Sequence, residues 1–396
     1  MGPTDKAVWD QEIPVPQSTI SYVDEAIKKV LPSGLQIKSI FPSGASYWAR
    51  TAKIEAVDAD GNEDSFFVKV HQGDHGKTMV SAECEAMEAL YKLIPEMVAK
   101  PIAWGSFEDI PDTHFFVCKY HEMSEDIPDI TDFPALVAEF HKRSAAPDGK
   151  FGYPNPTFGG KNPQNFPPSD TWEECFRKGM EGIFAAELET HGPDKEWERL
   201  TKLTLEKTIP PPPLKIVPRL VHGDLWEGNC SVDVNTGAPM IFDSTPLYAH
   251  NECKLFQHLS KSLFVATNQL CPDELGPWLC PRHRFPPYID EYTKHFPVSA
   301  PTEEFGDRIE LYCLYVIFRL SLPEKTLTAL ILVASMYTHP RCTREICDSD
   351  LCTLSHTPTA SSDTDTTIGR SAQETMKKLV EKYQLDEASS TSVPNL

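Results

Sequence analysis

No run of apolar residues in this chain approaches the roughly 18 that a membrane-crossing helix requires. The longest, from Ala329 to Met336, stops at less than half that length. Positive charge is scarce as well: 37 Lys and Arg face 58 Asp and Glu, a net of −21. A surface that acidic repels nucleic acid and anionic membrane, which removes both from the expected partners. Paired cysteines are missing; the 11 present are scattered, odd in number and without a C-x-x-C spacing. Reduced thiols in a cytoplasmic protein fit that pattern better than a disulfide framework. Cys342, Cys347 and Cys352 recur every five residues, which is not a zinc-ligand spacing. The opening MGPTDKAVWD has no basic region leading into an apolar one, so it does not read as a signal peptide. Lys6 stands where myristoylation needs Ser or Thr. A soluble, cytoplasmic monomer is the expectation.

What is present is ordinary for a globular protein, 40% hydrophobic and 24% charged residues. At 396 residues the chain is too long for one small core, which predicts two lobes and peripheral segments. Residues 1–35 read as an N-terminal segment with a helix around Tyr22 to Val30. Over 36–121 the texture is strands, a helix, then strands. Runs at Tyr47–Val57 and Ser65–Val70 flank a turn, Asp58-Ala-Asp-Gly-Asn62. In the second run Phe66, Val68 and Val70 share one face, Phe67 and Lys69 the other. Val80, Met87, Leu90 and Ile94 form a helical stripe over Val80–Ile94, and Pro101–Trp104 and His114–Tyr120 read as further strands.

Residues 122–338 form a larger, mainly helical region. It opens with Leu136, Val137 and Phe140 at helical spacing and passes through a long Gly-, Pro- and Asn-rich loop from Phe151 to Ser169. A helix bearing Trp172, Phe176, Met180 and Phe184 then starts at a capping box of Asp170 and Glu173. The rest, 339–396, reads as a partly disordered tail rich in Ser, Thr and Asp.

The chemistry concentrates in Leu220-Val-His-Gly-Asp-Leu-Trp-Glu-Gly-Asn-Cys-Ser-Val232, where a polar loop carries Asp224 and Asn229 between two apolar runs. The D-x-x-x-x-N spacing matches the protein-kinase catalytic loop, in which the Asp takes the proton of the attacking hydroxyl and the Asn holds magnesium. Asp243, at the end of Met240-Ile-Phe-Asp, stands where a second metal-binding carboxylate belongs. Phosphoryl transfer depends on positioning and charge neutralisation, and magnesium takes oxygen ligands, so this residue set suits that reaction. Upstream, Lys69 is placed to grip nucleotide phosphates. A helix carboxylate should pair with it, either Glu83 or Glu85, with helical phase favouring Glu83. The loop Ser43-Gly44-Ala45-Ser46 could cover the phosphates with backbone N–H groups, although it has one glycine and no G-x-G-x-x-G pattern. His222 reads as a brace for the loop or a substrate contact. Taken singly, each residue has a bland reading, as a turn, a solvated lysine or a strand terminator; their joint order carries the argument.

With these residues assembled, the chain resembles the fructosamine/ketosamine 3-kinase family, a branch of the aminoglycoside- and choline-kinase-like group. Val221-His-Gly-Asp-Leu-Trp-Glu-Gly-Asn229 is similar to the family's HGDLW-x-GN loop. Gly149-Lys-Phe-Gly-Tyr153, Gly159-Gly, Pro163-Gln-Asn165 and Trp172-Glu-Glu-Cys-Phe176 resemble its long loop and helix. Asp243 to Tyr248, with His250 and Glu252, looks like its metal-binding strand and turn. The likeness spans about 20–320 and fades beyond Leu322.

The resemblance implies an α+β, protein-kinase-like two-lobe fold, with a small antiparallel sheet and one helix ahead of a mainly helical lobe. It implies ATP and Mg2+ as cofactors and phosphorylation of the sugar 3-hydroxyl of ketosamines, free or on glycated protein, in deglycation. Asp224 would be the base, Trp226 and His222 would shape the sugar site, and Asn229 and Asp243 would hold the metal. Some members carry a phosphate-loop cysteine that permits redox-controlled dimerisation; Ser43 to Trp48 has none, so that switch is not expected. Two other readings remain open: a kinase for another small hydroxylated amine, and an inactive kinase-shaped binding protein.

Overall fold

The computed structural model describes residues 15–44, 46, 48–159, 162–208, 216–225, 227–255, 286–308, 311–312, 376–377 and 380–381. These form an α+β architecture whose described residues group into two compact units. The first draws on Met1–Cys175, Lys215–Leu255 and Pro287–Pro297, and the second on Phe176–Leu214, Phe256–Pro286 and Val298–Leu396.

The first unit is organised by a five-stranded antiparallel sheet. Its strands are β1 (Gln36–Pro42), β2 (Arg50–Val57), β3 (Glu63–Gln72), β4 (Pro101–Ser106) and β5 (Thr113–Lys119), in the order β1-β2-β3-β5-β4. The turn between β2 and β3 forms as expected: Asp58 accepts hydrogen bonds from the backbone N–H groups of Asp60 and Asn62 at 2.9 and 2.8 Å. Alternation along the strands separates two faces. Ala52, Ile54, Phe66, Val68, Val70 and Val117 are buried on one, while Phe67 and Lys69 point to the other.

The apolar face is covered by the stretch 15–31, which includes a short helix α1 (Glu25–Val30) and inserts Val15, Ile20, Val23, Ile27 and Leu31. Two polar ties fasten it. Arg50 Nε donates to the Val15 carbonyl at 2.9 Å. The fully buried carboxylate of Asp24 caps α1 through Ala26 N–H and also accepts from Glu108 and Asp109 N–H, at 2.8, 3.0 and 3.1 Å.

The other face of the sheet carries α2 (Gly73–Tyr91), which begins seven residues before the predicted Val80. Gly73 turns out of β3 with φ +80°, and Gly76 packs so closely on His71 that a Cβ there would meet His71 Cβ at 2.7 Å. These two glycines are therefore what allow the helix to start against the strand.

Beyond the sheet, α3 (Asp132–Arg143) buries Phe133, Val137 and Phe140. Six short strands follow as three antiparallel pairs: β6 (Thr157–Gly159) with β7 (Asn162–Gln164), β8 (Arg219–Val221) with β11 (Leu247–Ala249), and β9 (Cys230–Val232) with β10 (Pro239–Ile241). The end of α3 grips β8, with Leu220 N–H donating to Ser144 O at 2.9 Å and Ser144 Oγ to Leu220 O at 3.1 Å. Helix α4 (Trp172–His191) buries Trp172, Phe176, Met180 and Phe184 as predicted. Its cap lies one residue later than expected: Glu174 N–H bonds Thr171 Oγ1 at 3.2 Å, and Asp170 instead pairs with Lys150 at 2.7 Å.

In the second unit, α5 (Lys195–Leu203) is capped by Asp194, and Trp197 meets Phe184 edge-on at 6.1 Å. Within the tail, Met376 and Val380 are buried and Lys377 lies 3.3 Å from Glu196. The Ala329–Met336 run and the Cys342–Cys352 cluster lie outside the described residues. Among the described residues no helix is long and apolar enough to cross a membrane.

Candidate active site

Lys69 is held by two carboxylates from distant parts of the chain. Its Nζ lies 3.0 Å from Glu83 Oε2 on α2 and 2.9 Å from Asp243 Oδ1, two residues beyond β10. Of the two helix carboxylates the sequence left open, Glu83 makes the pair; Glu85 accepts from Asn155 Nδ2 at 2.7 Å. Lys69 and Glu83 are largely enclosed, with side chains 13% and 15% exposed, whereas Asp243 is 53% exposed and opens outward. Burial alone would lower the Lys69 pKa, but the charges of Asp243 and Glu83 outweigh it and raise it. Burial pushes Glu83 upward against the pull of Lys69, and the Lys69 charge holds Asp243 below the usual carboxylate range. The ammonium is thus firmly charged, and of its two partners Asp243 is the one most readily ionised.

Asp243 adopts φ +54°, a left-handed conformation uncommon outside glycine but more accessible to Asp. The surrounding backbone holds it there. Phe242 N–H bonds the Asn229 carbonyl at 3.1 Å, and Ile241 N–H bonds Met97 O at 2.8 Å. Ser244 Oγ and Thr245 N–H both donate to His222 O, at 2.7 and 2.9 Å. The segment after Asp243 therefore lies directly on the loop that carries Asp224.

That loop is shaped from within. Gly223 has φ +90°, and a Cβ on it would stand 1.8 Å from the Thr245 carbonyl oxygen. Asn229 is buried and donates through Nδ2 to Asp224 O at 2.8 Å and to Asp224 Oδ2 at 3.0 Å. His222 is 2% exposed. Its Nε2 lies 3.0 Å from Phe242 O, and its Nδ1 accepts from Asp224 N–H at 3.3 Å. Both ring nitrogens thus make contacts to backbone, which is the geometry of a brace for the loop.

Beside Lys69, Ser43 N–H donates to Thr51 O at 3.2 Å, Gly44 turns with φ +80°, and Ser46 is half-buried. Ala45 and Trp226 lie outside the described residues. Asp243, Asn229, Asp224 and Lys69 are therefore brought together, joined by direct or one-residue links. For a cation, the donor set on offer is the Asp243 carboxylate and the Asn229 amide oxygen, the arm left over once Nδ2 is committed to Asp224. Hard oxygen donors of this kind fit magnesium, which draws its remaining ligands from phosphate and water. Among the described residues no group of three or more His, Cys, Asp or Glu side chains could hold a metal by itself. Sequence reasoning missed the aromatic pair of Tyr153 and Tyr248, stacked with centroids 6.5 Å apart, and the Asn155–Glu85 contact between residues 70 apart in sequence. No local spacing signals such contacts.

A lysine–glutamate pair between strand and helix, an Asp-x4-Asn loop and a strand-end aspartate define a protein-kinase-like fold. Two solved structures share it. A putative fructosamine-3-kinase from Thermobifida fusca aligns with TM-score 0.55 at 16% identity, over 80% of this chain and 97% of that one. One from Haemophilus somnus aligns with TM-score 0.52 at 17% identity, over 77% and 92%. The chain belongs to the fructosamine kinase family, whose model matches residues 36–276. It is 31% identical over 193 residues to a chloroplastic protein-ribulosamine 3-kinase of Oryza sativa subsp. japonica, covering 48% of this chain and 54% of that protein. To a ketosamine-3-kinase of Mus musculus it is 25% identical over 280 residues, covering 63% and 88%. The chain spans about half the length of the rice relative it matches.

Proposed function

We propose that this protein transfers the γ-phosphoryl group of ATP to the sugar 3-hydroxyl of a ketosamine, either a small molecule or an adduct on glycated protein. The observation that carries this reading is the single cluster in which Lys69 meets Glu83 and Asp243 while Asn229 holds Asp224. Asp224 accepts the proton of the attacking hydroxyl. Lys69, kept charged and aimed by Glu83, grips the α- and β-phosphates, and the loop of Ser43, Gly44, Ala45 and Ser46 covers them, with the Ser43 N–H spent on anchoring that loop to the Thr51 carbonyl rather than on phosphate. Magnesium supplies charge neutralisation at the phosphate oxygens, and Asp243 and Asn229 are the residues that would hold it. Trp226 shapes the sugar site, and His222 fixes the loop that presents Asp224.

Family membership supports the ketosamine class, and phosphorylation at the 3-position would destabilise the adduct and promote deglycation. The buried thiols of Cys84 and Cys118 are in keeping with a reducing, cytoplasmic setting. The test is to incubate the protein with Mg-ATP and ribulosyl-lysine or fructosyl-lysine, following ADP release and the position of the new phosphate by NMR. Substrate-dependent ADP with phosphate at the 3-position is expected. Turnover of aminoglycosides or choline-like amines instead, or of nothing in the panel, would overturn it.

A further inference from the structure

The two carboxylates that hold Lys69 sit on different elements, Glu83 on α2 and Asp243 just before β11, and one stretch of chain touches both elements. It is the beginning of the long loop, 151–159. On one side Gly152 and Tyr248 exchange backbone hydrogen bonds, Gly152 N–H to Tyr248 O at 2.8 Å and Tyr248 N–H to Gly152 O at 3.1 Å. The Tyr153 ring stacks on Tyr248. Gly152 has no alternative at this junction, since its φ is +98° and a Cβ would meet Pro167 O at 2.5 Å. On the other side Asn155 Nδ2 donates to Glu85 Oε2 at 2.7 Å, and Phe158 packs edge-on against His75 with centroids 5.2 Å apart. His75 lies in the first turn of α2 and Glu85 in its middle, so the loop engages the helix at two separated points. Tyr153 stands between the two sides; burial, then Tyr248, Glu85 and Glu88, push its phenol up to about 12.

We propose that residues 151–159 are a built-in brace that locks α2 against the Asp243 segment, and that Asn155 is a positioning residue acting through Glu85 to keep Glu83 on Lys69. A helix free to swing would take Glu83 away from Lys69, and the lysine would lose the partner that aims it at phosphate. In a kinase site that geometry decides turnover, so the catalytic consequence rests on the function proposed above.

The experiment compares the full-length protein with Asn155→Asp, which sets one carboxylate against another, and with Asn155→Asp combined with Glu85→Gln, which rebuilds the hydrogen bond with donor and acceptor exchanged. Without ligand, hydrogen exchange in Gly73–Tyr91 should speed up about three- to tenfold in Asn155→Asp and return toward the wild-type rate in the double variant, as expected for loss and repair of one polar contact. Under Mg-ATP and ketosamine, kcat should fall by a similar factor with KM for the sugar unchanged, again restored in the double variant. Unchanged exchange in α2, or no restoration by Glu85→Gln, overturns the brace. Exchange that shifts while kcat holds overturns the positioning role. If exchange behaves as expected but even the wild type phosphorylates no ketosamine, the functional reading fails and the brace stands.

Discussion

Asp224 and Asp243 are both carboxylates of the candidate site, yet their surroundings differ. Asp224 accepts from a neutral amide, Asn229, and in the function proposed above takes the proton of the substrate hydroxyl; Asp243 meets the Lys69 ammonium, whose charge favours its ionised form. Asp224→Asn should therefore lower kcat by orders of magnitude while Mg-ATP still raises the melting temperature. Asp243→Ala should abolish that magnesium-dependent thermal shift. Near-normal turnover in Asp224→Asn would remove its role as base. Gly223 makes the sharpest steric prediction. Alanine there would need both a left-handed backbone and 1.8 Å of room that the Thr245 carbonyl already fills. Gly223→Ala should cost at least about 3 kcal/mol in denaturant unfolding, or abolish activity through a displaced loop.

At the scale of elements, the sheet is a two-sided object. One face carries Lys69 and α2, and the other is sealed by the stretch 15–31. Asp24 fastens that seal with one carboxylate serving three backbone N–H groups, two of them on the β4–β5 connection. Asp24→Ala strips a helix cap and leaves those donors in a buried place. A loss of about 2–3 kcal/mol is expected, with Asp24→Asn recovering part of it. Equal stability of the two variants and the wild type would show that water replaces the carboxylate at no cost. Helix α2 shows how packing overrides local preference. Gly73 and Gly76 would weaken an isolated helix, but here they let its first turn lie on His71.

Across the whole molecule, acid sensitivity should carry the mark of one buried histidine. His141, at the end of α3, bonds Tyr292 at 2.9 Å, and burial, helped by Arg219, pushes its pKa down to about 3. Between about 6.5 and that value the unfolded chain binds a proton that the folded one refuses, so its contribution is complete above about 6.5 and drains away as pH falls. The unfolding free energy of the wild type should drop by about 1.4 kcal/mol more per pH unit over that window than that of His141→Gln. Parallel slopes would contradict it. What the sequence determined by itself were the features set by neighbours along the chain: alternating strand faces, the Asp58–Asn62 turn, the Asp-x4-Asn loop and the apolar stripe of α4. Each follows from a repeat or a spacing a few residues long. What only the tertiary structure decided were choices between near-equivalent residues: Glu83 over Glu85, Thr171 over Asp170 as cap, and Asn155 as the partner Glu85 keeps. A side chain's direction within a helix turn and its distance from a residue 70 positions away are settled only when the elements pack, because packing, not propensity, selects which of two adjacent carboxylates faces the lysine.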